Sequence, residues 1–521
     1  MKSLIKLLHI ILLAITLVIP TACNYSYSAE PDNQIMYIPL DDRPVNYANV
    51  IEMSGIAGPD LNTPSIDILK QRPELAGWIK AYSNKAAVAV VSIDMLVYGG
   101  LVESRNHQYD PGELYSRLNL TKELQVNGPV LAFVSIMRTP AANTLHTMPD
   151  YYGAYGEHIY KYSTISDKIN SGASEPGDQE KLNQLKKSIP GSYLADFMTR
   201  REKNHQVNCE ILKLVQQGFI DYLVVSSDDT APFGFSRAEK EKLVSLAQRY
   251  GIKDKVAFFP GTDECGMLLL TAAANKITNN RPTVFISFAQ PSGAKLVQPY
   301  EDIPLDENIR RHILAVGALP INNPQEADLI LTVNNKATKA DQLSEQTASN
   351  DADFVEQISD YLTMGKPVTV ADVKYPNSAD PELMQKLNQA IDLSSLAGYS
   401  GWNTAGNTIG IALSQGIMRV TGSTTGPINK EQHRRVLLTR LVEDWGYQAI
   451  VRPEIKKQVP PDQGQLFTNG VYEAETVLLI EEKLNHFAKE NLAIFGTVQV
   501  NSVKLPWHRL FDIDFAVEVS E

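Results

Sequence analysis

Two adjacent aspartates follow the fourth predicted strand and are the sharpest candidates for catalysis in this chain. Asp228 and Asp229 end an apolar run, in the stretch Ser227-Asp228-Asp229-Thr230. Neighbouring side chains at a strand end diverge, so one can face a cavity while the other orients it. Like charges this close raise one pKa, which leaves a protonated acid beside an ionised carboxylate near neutral pH. Acid-catalysed cleavage of a glycosidic bond needs this pairing. In the alternative interpretation, Asp229 caps a turn and Asp228 pairs with a structural arginine.

Further polar residues follow the other predicted strands on their carboxyl-terminal sides. In parallel α/β folds these ends share one side of the molecule, so the side chains are expected to converge on one substrate-binding mouth. The residues that precede the strands are of ordinary turn types. The predicted binding residues are Asp41, Asp42, Arg43, Asp94, Arg138, Asp263, Glu264, Asn334, Trp402 and Asn403.

Several of these residues have a structural alternative. Arg43 would hold the two aspartates before it ionised, so this trio either binds hydroxyls or forms a structural pair. Asp263 and Glu264 supply a second carboxylate or only a turn. Trp402 stacks on a sugar or fills the core.

The sequence contains no G-x-S-x-G elbow, P-loop or HExxH motif, and no G-x-G-x-x-G opens a helix after a strand. Its nine histidines are scattered. We therefore expect no cofactor and no metal, with Arg43 and Arg138 offsetting the carboxylate charge. A metal-assisted hydrolase stays open as an alternative, because clustered carboxylates suit hard cations such as Mg²⁺, Ca²⁺ or Mn²⁺.

Short apolar runs alternate with helical patterns along the chain. Most runs are continuous, as is typical of parallel strands covered on both faces. The pattern predicts a mostly parallel α/β fold, a (β/α)8-like barrel with insertions, with a doubly wound parallel sheet as the alternative. Strands are predicted at 35–40, 87–93, 130–136, 222–226, 256–259, 283–288, 329–333, 368–371 and 396–399, and helices at 111–124, 196–217, 237–249, 351–362 and 381–391.

The chain divides into a leader, a main domain and a C-terminal module. Residues 1–29 combine an early positive charge with an apolar run too short for a bilayer, which takes roughly 20 residues, and so predict a signal peptide. Cys23 is a candidate lipidation site, with ordinary cleavage nearby as the alternative. Residues 30–457 form the barrel-like domain, and its Tyr-rich insertion at 144–193 is expected to be a lid or a binding surface. Residues 458–521 form a small α+β module, with a helix at 473–489 and strands at 497–503 and 512–519.

Composition excludes some classes of partner. The formal net charge is −12, whereas nucleic acids and anionic membrane surfaces select for lysine and arginine. A membrane is expected only through a lipid anchor. The three cysteines are too few to hold an exported chain of 521 residues together by disulfides.

Three separated stretches carry a resemblance to a known family. The chain resembles the bacterial family catalogued as domain of unknown function 4127, which implies no known activity. The matching stretches are Pro39-Leu40-Asp41-Asp42-Arg43-Pro44-Val45-Asn46, Ser227-Asp228-Asp229-Thr230-Ala231-Pro232-Phe233-Gly234 and Gly401-Trp402-Asn403-Thr404-Ala405-Gly406-Asn407.

These observations together predict an exported glycoside hydrolase that acts on cell-envelope or environmental glycans, outside the cell or on its surface. Asp228 and Asp229 are its acid/base or polarising pair. A non-catalytic carbohydrate-binding protein is the second hypothesis, because it would use the same tryptophan and amides without an acid of raised pKa.

Overall fold

The strands form from short apolar runs whose two faces are both buried. In the first strand, Ile35 and Tyr37 pack into one apolar cluster, while Met36 and Ile38 pack into another. Side chains alternate across a strand, so this run leaves no face for solvent. Helices must therefore cover both sides of the sheet.

The computed structural model describes residues 34–58, 60–143, 146–338, 351–425, 428–459 and 471–520. The predicted signal peptide and Cys23 lie outside these residues. The strands are β1 (Ile35–Ile38), β2 (Leu61–Asn62), β3 (Val88–Ser92), β4 (Val130–Ile136), β5 (Tyr222–Ser227), β6 (Val256–Pro260), β7 (Thr283–Phe288), β8 (Leu319–Ile321), β9 (Leu329–Asn334), β10 (Val368–Asp372), β11 (Gly398–Ser400), β12 (Thr497–Lys504) and β13 (Asp514–Ser520).

The strands divide between two parallel sheets and one antiparallel ribbon. The first sheet has six strands in the order β2-β1-β3-β4-β5-β6, and the second has five in the order β11-β10-β9-β7-β8. β12 and β13 form the ribbon. Read from the β8 edge, the second sheet repeats the order of the first: second, first, third, fourth, fifth. This order is found in doubly wound sheets, where the direction of winding reverses beside the first strand.

The mixed α/β architecture with parallel sheets is confirmed, but the (β/α)8 barrel is not. Within the described residues, the strands belong to two separate sheets rather than one ring. Barrels and open sheets share the same alternation of strands and helices, so that pattern cannot distinguish them. The doubly wound alternative is consistent with the observed strand order.

A shared layer of helices lies between the two sheets. α11 packs on β3 and β4, α15 packs on β10 and β11, and these two helices pack on each other. The helices are α1 (Ala48–Ala57), α2 (Ile66–Lys70), α3 (Arg72–Tyr82), α4 (Ile93–Tyr98), α5 (Leu101–Asn106), α6 (Pro111–Leu118), α7 (Tyr152–Asn170), α8 (Asp178–Ser188), α9 (Gly191–Gln217), α10 (Phe235–Arg249), α11 (Cys265–Ile277), α12 (Leu305–Ala315), α13 (Asp351–Thr363), α14 (Pro381–Ala390), α15 (Ala405–Thr425), α16 (Lys430–Arg440), α17 (Arg452–Gln458) and α18 (Val471–Asn491), and the π-helical segment Leu441–Val451 joins α16 to α17. No helix in the described ranges is long and apolar enough to cross a membrane.

The Tyr-rich insertion is mainly helical. It contains α7, α8 and the start of α9. Tyr152 is fully buried, and its hydroxyl donates to the carbonyl of Pro140 at 3.0 Å. The insertion is thus anchored to the loop that follows β4.

The C-terminal segment forms the predicted helix and strands, and it shares a core with the second sheet. Val498 and Val500 of β12 belong to the same apolar cluster as Val368 and Val370 of β10. All described residues lie in one compact unit, Asn33–Glu521. The C-terminal segment is therefore packed as part of the main body.

Candidate functional site

A polar cavity of about 230 Å³, here called the inner chamber, lies at the carboxyl ends of the first sheet. It opens beside a second cavity of about 910 Å³, here called the outer cleft. Both are lined by Arg138, Asp229, Tyr300, Arg509 and Phe511, so they are adjoining spaces. The remaining polar lining of the inner chamber includes Arg43, Arg105, Asp228, Asp263, Asn377, Asn403, Thr404 and Trp507.

Arg43 joins the end of β1 to the start of α11. Its guanidinium donates to Asp41 Oδ2 at 2.7 Å and also binds both carboxylate oxygens of Asp263. Asn46 Nδ2 donates to the same two aspartates, at 3.0 Å and 3.3 Å. Burial alone would raise the pKa of Asp263, but Arg43 holds it below its ordinary value. For Asp41, burial outweighs the guanidinium and the pKa is raised.

Two arginines hold the candidate catalytic pair, which follows β5. Arg105, from α5, donates to Asp228, and Arg138 Nη1 donates to Asp229 Oδ2 at 2.7 Å. Arg138 Nε lies 3.9 Å from Asp228 Oδ2, so this one guanidinium bridges both carboxylates. The φ of Asp229 is +40°, in the left-handed region that is costly for a residue with a Cβ.

Burial and three charged neighbours set the pKa of Asp229. Burial raises its pKa, and the charge of Asp228 adds to this rise, while Arg138 and Arg105 oppose it. The pKa of Asp229 is therefore raised, and that of Asp263 in the same chamber is lowered.

Asp94 does not line the inner chamber but links two strands that end beside it. It lies in the first turn of α4 and is fully buried. It accepts from the backbone N–H of Ser135 at 2.8 Å and from the Ser135 hydroxyl at 3.0 Å, which ties β3 to β4. Burial raises the pKa of Asp94 to about 7.

Six predicted site residues do not line the inner chamber: Asp41 and Asp94, whose contacts are given above, and four others. Glu264 is buried and contacts His312 Nε2 at 3.2 Å. Asn334 lies at the end of β9, where its Nδ2 donates to Asp372 Oδ1 at 2.8 Å. Both face the interior.

Trp402 and Asp42 are the other two. Trp402 is fully buried within the central apolar cluster, 5.9 Å from the ring of Phe511, so its position matches the core-filling alternative. Asp42 accepts from the indole N–H of Trp507 at 2.9 Å and pairs with Lys70 at 3.1 Å. It thus positions a tryptophan that does line the chamber.

The turn between β12 and β13 supplies site residues that sequence reasoning missed. The guanidinium groups of Arg43 and Arg509 each lie 4.6 Å from the ring centre of Trp507. Arg509 also lies 5.4 Å from the ring of Phe511, which Arg452 approaches to 4.7 Å. This guanidinium–aromatic ladder runs from the inner chamber to the outer cleft. The signal in the sequence that could have identified these site residues is the group of basic and aromatic residues at 507–511, between two strands of alternating polar and apolar residues.

Arginines occupy the oxygens that a cation would need. Among the described residues, no group of three or more His, Cys, Asp or Glu side chains is arranged to hold a metal ion. The chamber carboxylates face guanidinium groups instead.

The family resemblance is confirmed over most of the chain. The family described as Protein of unknown function (DUF4127) matches residues 35–516, so the chain belongs to that family. No curated protein and no solved structure matches the chain significantly. The matched region contains every residue that lines the inner chamber.

Proposed function

We propose that the protein is an exported glycoside hydrolase that acts on cell-envelope or environmental glycans, with Asp228 and Asp229 as its catalytic pair. The observation that carries this proposal is the pair's setting. Both carboxylates line a cavity at the carboxyl ends of parallel strands, and burial beside a second carboxylate raises the pKa of Asp229. Leaving-group protonation requires a carboxylic acid that carries its proton, and a raised pKa extends the pH range over which Asp229 does so.

In the proposed reaction, Asp229 gives its proton to the glycosidic oxygen as the bond from that oxygen to the anomeric carbon breaks. The electron pair of the broken bond goes to the oxygen, and positive charge develops on the sugar ring. The carboxylate of Asp228, one residue away, stabilises that charge. Water then forms a bond to the anomeric carbon and gives one proton to the carboxylate of Asp229, which restores the acid. Asp263, held by Arg43, and the amide of Asn403 offer acceptors and a donor for sugar hydroxyls.

A non-catalytic carbohydrate-binding protein is the second candidate, and one observation favours it. Arg105 and Arg138 already bind Asp228 and Asp229. Such pairing is also expected of carboxylates that only orient a ligand. Product release distinguishes the two candidates.

The test is the release of reducing ends from a panel of peptidoglycans and environmental polysaccharides. We expect the wild-type protein to cleave a member of the panel, also after dialysis against EDTA. Asp228→Asn and Asp229→Asn should each lower the rate by about 10²-fold or more, the scale of acid–base removal. Asp254→Asn, an exposed aspartate before β6 at the opposite end of the sheet, is the matched control and should keep full activity. Unchanged rates in both chamber variants would show that neither aspartate is catalytic. An inactive wild type that binds glycans would support the hypothesis of a carbohydrate-binding protein.

Export is the second part of the proposal and rests on the residues before the described chain. Lys2 and Lys6 precede the apolar run 7–19, and Cys23 follows small residues. Expressed in a Gram-positive host, the full-length chain should accumulate outside the membrane in a shortened form. A palmitate analogue should label the wild type and not Cys23→Ala if the anchor is lipid. A full-length chain retained in the cytoplasm would contradict export.

A further inference from the structure

The outer cleft has a basic lining on a protein whose formal net charge is −12. Its basic residues are Arg138, Lys295, Arg452, Lys456 and Arg509, and its acidic ones are Asp229 and Glu301. The excess of cations is thus local to the cleft.

Three of these cations are already paired. Arg138 binds Asp229, Lys295 binds Asp306, and Arg509 binds Asp512. These contacts neutralise much of their charge. The remaining two cations, both on α17, stand apart.

Arg452 and Lys456 lack an acidic partner. In the ranges that the structure describes, no carboxylate lies within 4.0 Å of either side chain. Arg452 is 9% exposed and donates to Gln448 Oε1 at 2.7 Å, while its buried Nε has no hydrogen-bond partner there. Burial and the charge of Arg452 lower the pKa of Lys456. Burial likewise lowers the pKa of Arg452, although the charge of Asp512, which pairs with Arg509, opposes this shift. Residues four apart on a helix share a face, so both cations can reach one ligand group.

The second acid of the outer cleft does not pair with these two cations. Glu301 is buried, accepts from Asn308 Nδ2 at 3.1 Å and from the N–H of Gly406, and its pKa is raised to about 8 by burial. It is therefore mostly uncharged at neutral pH.

The pair is also connected to the inner chamber. Arg452 lies over Phe511, which the chamber and the cleft share, at the end of the guanidinium–aromatic ladder. A ligand that fills the chamber and extends along the ladder reaches Arg452 and Lys456.

We propose that Arg452 and Lys456 form an anion subsite, and that the saccharide bound by the chamber is acidic, carrying a carboxylate or phosphate group. This inference rests on the proposed function only for the saccharide nature of the ligand. A guanidinium and an ammonium on one face bind both kinds of oxyanion by charge-assisted hydrogen bonds.

The test is binding, measured by isothermal titration with three matched probes: glucuronic acid, glucose 6-phosphate and glucose. The wild type should bind at least one anionic probe about ten-fold or more tightly than glucose, the scale of one charge-assisted hydrogen bond. The anionic probe that binds more tightly shows whether the subsite prefers a carboxylate or a phosphate group. The affinity for that probe should fall as salt is added.

Lys456→Met should remove most of this preference without changing the melting temperature, because Lys456 lies at the surface of α17. Lys457→Met removes the neighbouring exposed lysine, which does not line the cleft, and should leave the preference unchanged. Arg452→Gln is the second variant and should behave like Lys456→Met if it folds.

Equal binding of charged and neutral probes would overturn the anion subsite, as would no binding of either anionic probe, or a preference that survives Lys456→Met. Because this readout needs no bond cleavage, a preference lost in Lys456→Met upholds the subsite even where no glycan is hydrolysed. Hydrolysis of neutral glycans alone would instead uphold the enzyme and reject the subsite.

Discussion

At the scale of single residues, arginine contacts separate the acids of the inner chamber into two kinds. Asp263 shares the guanidinium of Arg43, and its pKa is lowered. Asp229 receives one bond from Arg138 beside a second carboxylate, and its pKa is raised. Two acids shifted in opposite directions within one cavity can take different protonation roles at the same pH.

The sequence could predict the chamber residues whose strands end in polar clusters. Arg43, Arg138, Asp228, Asp229, Asp263 and Asn403 were predicted and line the chamber. It could not predict which of two neighbours faces inward. Glu264 follows Asp263 directly but points into the layer between the sheets, where it meets His312. Trp402 precedes Asn403 and is wholly buried. Neighbouring side chains at a strand end point in opposite directions, so an error of one position in the sequence places the wrong residue in the site.

Asp94 gives a prediction about stability and pH. The unfolded chain loses this proton near 3.8, whereas the folded protein keeps it until about 7. The native state then binds more protons, so Asp94 stabilises the fold below its unfolded pKa and loses this contribution as pH rises to about 7. The unfolding free energy of Asp94→Asn minus that of the wild type should therefore increase by up to about 4 kcal/mol from pH 4 to pH 8.

Denaturant unfolding of both proteins across this range measures the difference. A difference that stays constant with pH would show that Asp94 does not titrate with a raised pKa. Taking the difference between the two proteins cancels the titration of the other buried acids.

At the scale of elements, the start of α15 packs closely against the end of the first sheet, while the helix also contacts the second sheet. A Cβ on Gly406 would come within 2.3 Å of the carbonyl oxygen of Pro260, at the end of β6. A Cβ on Gly410, one turn later, would come within 2.2 Å of Glu264 Cγ. Glycine allows this helix to approach the first sheet closely. Its approach also brings Asn403 to the inner chamber.

Gly406→Ala should therefore destabilise the protein by about 1–3 kcal/mol, the usual cost of overpacking, because the obstructing atom belongs to the backbone. Gly77→Ala is the matched control. Gly77 lies in α3 with open space around its Cα, so the same change should stabilise the protein by about 0.5–1 kcal/mol. Chemical denaturation measures both. Equal stability of Gly406→Ala and the wild type would show that α15 does not lock against β6.

The elements themselves were largely predictable. All eleven predicted strands, including the two of the C-terminal module, are present, and their ends differ from the prediction by at most two residues. β2 and β8 were not predicted from the sequence. β2 has two half-buried residues, and β8 contains Pro320, so neither presents the apolar run that marks a central strand.

At the scale of the whole molecule, the site is assembled from parts that are distant in sequence. Trp507 donates to Asp42 across 465 residues, and Asn377 and Asn403 reach the chamber from the second sheet. Local patterns do not encode such contacts. For the same reason the sequence could not show that the strands form two sheets with the same strand order, or that the C-terminal ribbon contributes residues to the site.

In the proposed function, Asp229 acts on a ligand held in the inner chamber. The most direct test compares kcat with the dissociation constant for Asp229→Asn, using the best-cleaved glycan. Asparagine keeps the shape of the side chain but carries no acidic proton. We predict that kcat falls by about 10²-fold or more while the dissociation constant changes by less than about three-fold. An unchanged kcat, or a loss of activity due wholly to weaker binding, would contradict the claim.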